Sequence, residues 1–176
     1  MKHKTVALVL CTAGLISGCA TTRHKSTTVQ EASAGGLQVI GQVESLTVQP
    51  SGLTYKARID TGATTCSISA LDIEPFERDG KDWVRFRMPL PDNNEKKTDV
   101  LEYPVTRTAE IKRHGAEPQK RPAVELPVEM GIFKGRIEFT LTDRTAYEFP
   151  VLVGRNLLDG NMVVDVSESF IATEGK

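Results

Sequence analysis

The feature that most limits what this chain can fold into is an apolar period of two, repeated in short runs that Pro and Gly cut apart. Leu53, Tyr55, Ala57 and Ile59 alternate with polar neighbours, and Val84, Phe86 and Met88 do the same in "DWVRFRMPL". Val124, Leu126, Val128 and Met130 form a third run, and "GIFKG" then turns the chain into Ile137, Phe139 and Leu141. Phe149, Val151 and Val153, followed by Met162, Val164 and Val166, close the series. Alternation gives each segment one apolar face, so each reads as a half-buried strand. Many short strands with turn residues between them predict an all-β sandwich or barrel. No long amphipathic helix competes. The helical candidates are short: "SALDIEPFE" (69–77), where Pro75 limits length, and "RNLLD" (155–159). Two polar excursions interrupt the strands. "PDNNEKKTD" (91–99) reads as an exposed loop, and "RHGAEPQKRP" (113–122) as a hairpin that folds over a site.

The amino terminus is a different kind of segment. Lys2, His3 and Lys4 precede the uncharged stretch "TVALVLCTAGLISG", which is too short to span a membrane as an ordinary helix. Its end, Ile16-Ser17-Gly18-Cys19, resembles the lipobox of bacterial lipoproteins, in which cleavage leaves the cysteine as a lipid-bearing amino terminus. That resemblance implies a signal peptide over 1–18 and lipidation of Cys19. With the uncharged Ala20 next, it also implies a place in the outer membrane, facing the periplasm. Residues 19–36, rich in Thr, Ser, Ala and Gly, read as a flexible tether, and 37–173 as one domain with a real core. Lys and Arg number 22 and Asp and Glu 23, for a formal net charge of −1. The composition therefore points to neither nucleic acid nor an acidic membrane surface as a partner. With Cys11 lost in the signal and Cys19 lipidated, Cys66 is the remaining thiol and an internal disulfide is excluded.

Within the domain, few residues suit chemistry. His3 and His24 fall in the signal and the tether, which leaves His114 and Cys66 without a partner at metal-ligand spacing. No metal and no cofactor are expected. A Gly-rich phosphate loop is absent, and a nucleophilic triad would have to recruit His114 from a polar turn. Cys66 reads as a small buried residue and Arg144 as part of a solvated turn. What remains is Asp60 in "RIDTGA" (58–63), at the end of an alternating strand. Alone, Asp-Thr-Gly is a turn signal as much as a catalytic one.

Far along the chain, "VLVGRNLL" (151–158) supplies a second apolar run ending in Gly154, Arg155 and Asn156. The two segments together resemble the retropepsin-like aspartic proteases, in which a strand delivers Asp-Thr-Gly-Ala to a cleft floor and an apolar-apolar-Gly segment crosses beneath it. More closely, 37–170 resembles a bacterial branch of that family often labelled as ATP-dependent zinc proteases. The shared motifs are "IDTGA", "FERDGKDWVRF" (76–86), "RP" (121–122), "LTDR" (141–144) and "GRN". The label sits poorly with the missing zinc and ATP residues. The resemblance implies a closed or nearly closed acid-protease barrel with one or two short helices. It implies Asp60 as the catalytic carboxylate, Thr61, Gly62 and Ala63 as dyad or substrate support, and Gly154, Arg155 and Asn156 as structural support.

Two carboxyls sharing a proton can act as base and acid toward an attacking water. One chain supplies one such motif, so the resemblance implies a homodimer with Asp60 from each copy at the axis. Asp159 and Asp165 are alternative second carboxylates within the chain. Viral retropepsins follow the Ala with Asp, which pairs with the later Arg. Here Thr64, Thr65 and Cys66 follow, leaving the partner of Arg155 open. The expected activity is cleavage of peptide or isopeptide bonds. A peptide-binding or assembly lipoprotein on the same fold is the alternative.

Overall fold

The computed structural model describes residues 36–49, 51–91, 93–113 and 116–175. The signal peptide, nearly all of the tether, Cys19 and His114 lie outside the described residues. The protein is almost wholly β, in the chain order β1 (Gln38–Gly41), β2 (Val43–Val48), β3 (Leu53–Ile59), β4 (Cys66–Ser69), β5 (Leu71–Arg78), β6 (Lys81–Arg87), β7 (Pro89–Leu90), β8 (Asn93–Lys97), β9 (Leu101–Pro104), β10 (Arg107–Arg113), β11 (Ala116–Met130), β12 (Phe133–Thr142), β13 (Val151–Val153), α1 (Arg155–Leu158) and β14 (Met162–Asp165).

The main sheet runs β10-β11-β12-β4-β13-β3-β2, and β11 also pairs with β2. The strands from β11 round to β2 therefore form a closed barrel, with β10 outside it as an edge strand. Closure depends on the length of β11. Its first half pairs with β10, Arg107 opposite Ala123. Its far end turns to β2, Val128 opposite Val48. The alternation read from the sequence supplies the barrel core: Tyr55, Ala57 and Ile59 of β3, Val124, Leu126 and Val128 of β11, and Phe139 and Leu141 of β12 are all buried. Tyr55 keeps its hydroxyl satisfied inside that core by donating to the carbonyl of Pro89 at 2.9 Å.

A three-stranded sheet, β5-β6-β9, packs beside the barrel and contributes Val84 and Phe86 to the same core. Its first hairpin turns at Asp79 and Gly80, both with positive φ (53° and 70°), as a tight two-residue β-turn needs. Residues 69–77, expected as a short helix, are instead the end of β4 and most of β5. The register between β5 and β6 shifts between Leu71 and Glu74, where Asp72 takes a φ of 53°. A bulge breaks the period of two, so Leu71, Ile73 and Phe76 fall out of the strict alternation that marks the other strands. The loop expected at 91–99 is also partly a strand, since β8 pairs antiparallel with β7. Thr98 anchors that excursion: its hydroxyl accepts the N–H of Met88 at 2.9 Å, and its carbonyl accepts Arg87 Nη1 at 2.8 Å. Val166 falls beyond β14 and is exposed. Of the two helical candidates, "RNLLD" alone forms, as α1.

Candidate active site

β3 ends at Ile59, and Asp60 begins a tight turn. Its N–H donates to the carbonyl of Val153 on the neighbouring parallel strand β13 at 2.9 Å. Its carboxylate then closes the turn on itself: Oδ1 accepts the N–H of Gly62 at 3.0 Å and of Ala63 at 3.1 Å. Asp60 is thus a turn-former and also a carboxylate fixed in direction. Among the described residues Oδ2 makes no hydrogen bond. Asp60 is half-buried, while Thr61 and Gly62 are exposed at the apex.

The downstream segment laces into this turn. The N–H of Arg155 donates to Ala63 O at 2.9 Å and that of Asn156 to Thr64 O at 3.2 Å. The Arg155 guanidinium supplies its own answer to the open partner. Nη1 donates to the carbonyls of Thr61 (3.1 Å) and Gly62 (2.9 Å), and Nη2 to Thr64 Oγ1 (2.9 Å). Three turn oxygens stand where the viral pattern has a carboxylate. Asn156 bridges in the other direction: its Oδ1 accepts the N–H of Cys66 at 2.9 Å, and its Nδ2 donates to Glu138 O at 2.9 Å. Gly154 must be glycine for reasons of space, because a Cβ there would stand 2.7 Å from the carbonyl carbon of Thr65.

Cys66 is fully buried on β4, where its sulfur accepts the N–H of Gly154 at 3.2 Å. Burial pushes the thiol up to about 12, against the smaller opposing effect of backbone hydrogen bonds, so at neutral pH it is an uncharged packing group. Neither alternative carboxylate is drawn into the turn. Asp165 is half-buried and its Oδ1 accepts the N–H and hydroxyl of Ser167 at 2.9 and 2.6 Å. Asp159 follows α1 and lines an open groove with Thr61, Arg155 and Met162. Among the described residues, no three His, Cys, Asp or Glu side chains converge as a metal site would require.

On the other side of the turn, Ala63, Thr64 and Thr65 border a cleft of about 520 Å³ whose far wall is the β10–β11 hairpin. The hairpin expected over 113–122 therefore exists and stands at the site, with its tip outside the described residues. Ala109, Ile111 and Arg121 face the cleft. Arg144 also reaches it, and the expectation of a solvated turn is corrected. Arg144 is only 8% exposed, its N–H donates to Ser69 Oγ at 3.2 Å, and its Nε donates to Phe149 O at 3.0 Å. The guanidinium lies 4.7 Å from the centroid of the Tyr147 ring. Burial lowers its pKa most and Arg121 adds to that, whereas Tyr147 and Asp60 oppose it. No salt bridge to Arg144 forms among the described residues. The available signal for both arginines was their place in the "RP" and "LTDR" motifs.

A closed barrel whose strand end presents Asp-Thr-Gly-Ala, crossed by a Gly-Arg-Asn segment, defines a retropepsin-like fold. The chain belongs to the RimB-like family of retropepsin-like aspartic endopeptidases, whose family model matches residues 39–175. Curated relatives include proteins from Shewanella pealeana (34% identical over 77% of this chain) and Shewanella halifaxensis (35% over 75%), each named "Probable alpha-L-glutamate ligase". The match covers 30% and 29% of those proteins, so the chain spans less than a third of their length. A solved structure from Legionella pneumophila, of a protein of unknown function, is 29% identical and superposes with a TM-score of 0.65 over 77% of this chain and 98% of the other.

Proposed function

We propose that this chain is an aspartic endopeptidase that cleaves peptide or isopeptide bonds at a site built from two copies of itself. The observation that carries the reading is the fixed carboxylate of Asp60, with one oxygen locked by Gly62 and Ala63 and the exposed Thr61 and Gly62 beside it. Brought to a two-fold axis, that turn sets Asp60 against its counterpart. Two carboxyls in contact hold one proton between them and titrate as a unit, so one takes a proton from water while the other gives one to the carbonyl oxygen. The groove lined by Thr61, Met162, Val163 and Val164 offers an apolar rim for the second copy. Sedimentation velocity on the soluble domain is expected to give a dimer at the concentrations where cleavage is seen. A strict monomer that cleaves would overturn the two-copy site.

The substrate we propose is acidic. Arg144 makes no ion pair among the described residues, although Asp60 acts on it at a distance and Glu110 also lines the cleft. An anionic substrate side chain beside its guanidinium would offset the cost of burying that charge. The curated relatives carry a domain like this one in proteins named for joining glutamate, which supports glutamate-containing amides as targets. Arg144→Gln is then expected to lower kcat/KM on a glutamate-rich peptide about 10- to 100-fold while sparing a neutral one, the size of a charged hydrogen bond. Equal losses on both peptides would count against the acidic substrate.

The lipobox resemblance supports anchoring through Cys19 in the outer membrane, with the domain facing the periplasm. The ligase names favour one competing reading, a domain that holds a peptide without cutting it.

A further inference from the structure

β10 is an edge strand with β11 as its one neighbour in the main sheet, so the cleft wall it forms is thin. Its two faces look different ways. Arg107, Ala109, Ile111 and Arg121 line the cleft beside the Asp60 turn, while Thr108, Lys120 and Pro122 line a groove against Phe76 and Trp83. A wall of this kind keeps its position only if its base is tied to the barrel.

Beside the backbone bond from Thr106 N–H to Ala123 O at 2.9 Å, the side-chain tie to β12 is a network at Arg107. Its Nε and Nη2 donate to Glu138 Oε1 on β12 at 2.9 and 2.8 Å, and Nη2 also donates to Thr65 Oγ1 at 2.9 Å. The other carboxylate oxygen of Glu138 accepts Thr106 Oγ1 at 2.7 Å. Through its backbone carbonyl, Glu138 also receives Asn156 Nδ2 from the Gly-Arg-Asn segment. One carboxylate residue thus joins the hairpin base, the segment after the catalytic turn and the segment beneath it. An isolated surface ion pair contributes little, but a charge-assisted network with both carboxylate oxygens engaged holds geometry.

We propose that Arg107 is a positioning residue for the reaction at Asp60, fixing the β10–β11 hairpin and the Thr64-Thr65 segment in one arrangement through Glu138. The kinetic half of this inference rests on the peptidase reading, and the exchange half does not. Hinge and lid residues act on substrate capture and turnover together, without touching the reacting atoms.

The test compares the full chain with Arg107→Gln, Glu138→Gln and Arg107→Lys, by amide hydrogen exchange and by cleavage of a glutamate-rich fluorogenic peptide. Expected are about tenfold faster exchange across 107–113 and 116–123 in the Gln variants, unchanged protection in β3 and β13, and a raised KM with a lowered kcat. Arg107→Lys keeps the charge opposite Glu138 and should recover part of both. Hairpin exchange and kinetics like those of wild type in Arg107→Gln would overturn the proposal, and so would faster exchange with unaltered kinetics. Loss of protection in β3 and β13 as well would mark Arg107 as a general fold contact and also overturn it. A wild-type chain that cleaves nothing would instead overturn the peptidase reading and the kinetic half of this proposal, leaving the exchange half to stand or fall on its own result.

Discussion

Under the proposed two-copy peptidase reading, Asp60→Asn is expected to abolish cleavage while leaving the fold and the assembly intact. Asparagine has nearly the shape of aspartate and keeps an oxygen able to accept the N–H groups of Gly62 and Ala63, so the turn that now uses Oδ1 survives. Surface changes that spare such contacts cost under about 1 kcal/mol. What asparagine cannot do is take or release the proton shared by the pair. Removing a positioned acid or base of this kind costs about 100- to 10,000-fold in rate, and losses at a unit of two groups are not additive. On the proposed two-copy site, Asp60→Asn subunits mixed in excess with wild type should quench its activity. The measurements are kcat on a peptide library, the urea midpoint and sedimentation. Full activity in a folded Asp60→Asn dimer would end the aspartic reading.

The second large effect is expected at Gly154. A methyl group there would meet backbone, with the carbonyl carbon of Thr65 at 2.7 Å, its oxygen at 2.9 Å and the N–H nitrogen of Cys66 at 3.0 Å. No flexible side chain can swing aside, so Gly154→Ala must push β13 and the segment leading into β4 apart. The contacts at risk are the ones that organise the site: Gly154 N–H to Cys66 Sγ, Arg155 N–H to Ala63 O, and the fan of Arg155 onto the turn carbonyls. Overpacking a tight interior site costs about 1–3 kcal/mol. Gly154→Ala should therefore lower the urea midpoint by a matching amount and depress cleavage beyond what the stability loss explains. A variant with wild-type stability and rate would show that the two segments separate freely.

The strands were legible because burial on one face imposes a period of two, and β3, β6 and β11 carry it most cleanly. β12 keeps the apolar alternation in its residues although both its faces are buried at the far end. Where a bulge intervenes the signal fails for a local reason. Asp72 shifts the phase of β5 and hides it from a search for a strict period of two. The small β7–β8 pair was hidden differently, since it is held by the backbone and hydroxyl of Thr98 rather than by an apolar face. At the site, the motif segments 58–63 and 151–156 were readable as a pair, although nothing in them disclosed what Arg155 grips. Arg144 was misread because its burial comes from Ser69, Phe149 and Tyr147 closing around it, a tertiary event with no periodic trace. Glu138 was missed for the same reason: its partners Thr106 and Arg107 lie about thirty residues upstream and meet it only once β10, β11 and β12 are side by side.

Asp60 sits early in the chain, and among the described residues the groups that hydrogen-bond its turn from outside come late. Val153, Gly154, Arg155 and Asn156 follow by more than ninety residues, after the whole of the small sheet, the hairpin and β12. A nascent chain that has made the Asp-Thr-Gly has therefore not yet made the contacts that hold the turn. Distant pairings of this kind form slowly, because a long loop must close before any contact rewards it. The order of the segments thus works as a timer, keeping the carboxylate unassembled until the last strands have been synthesised and folded into place.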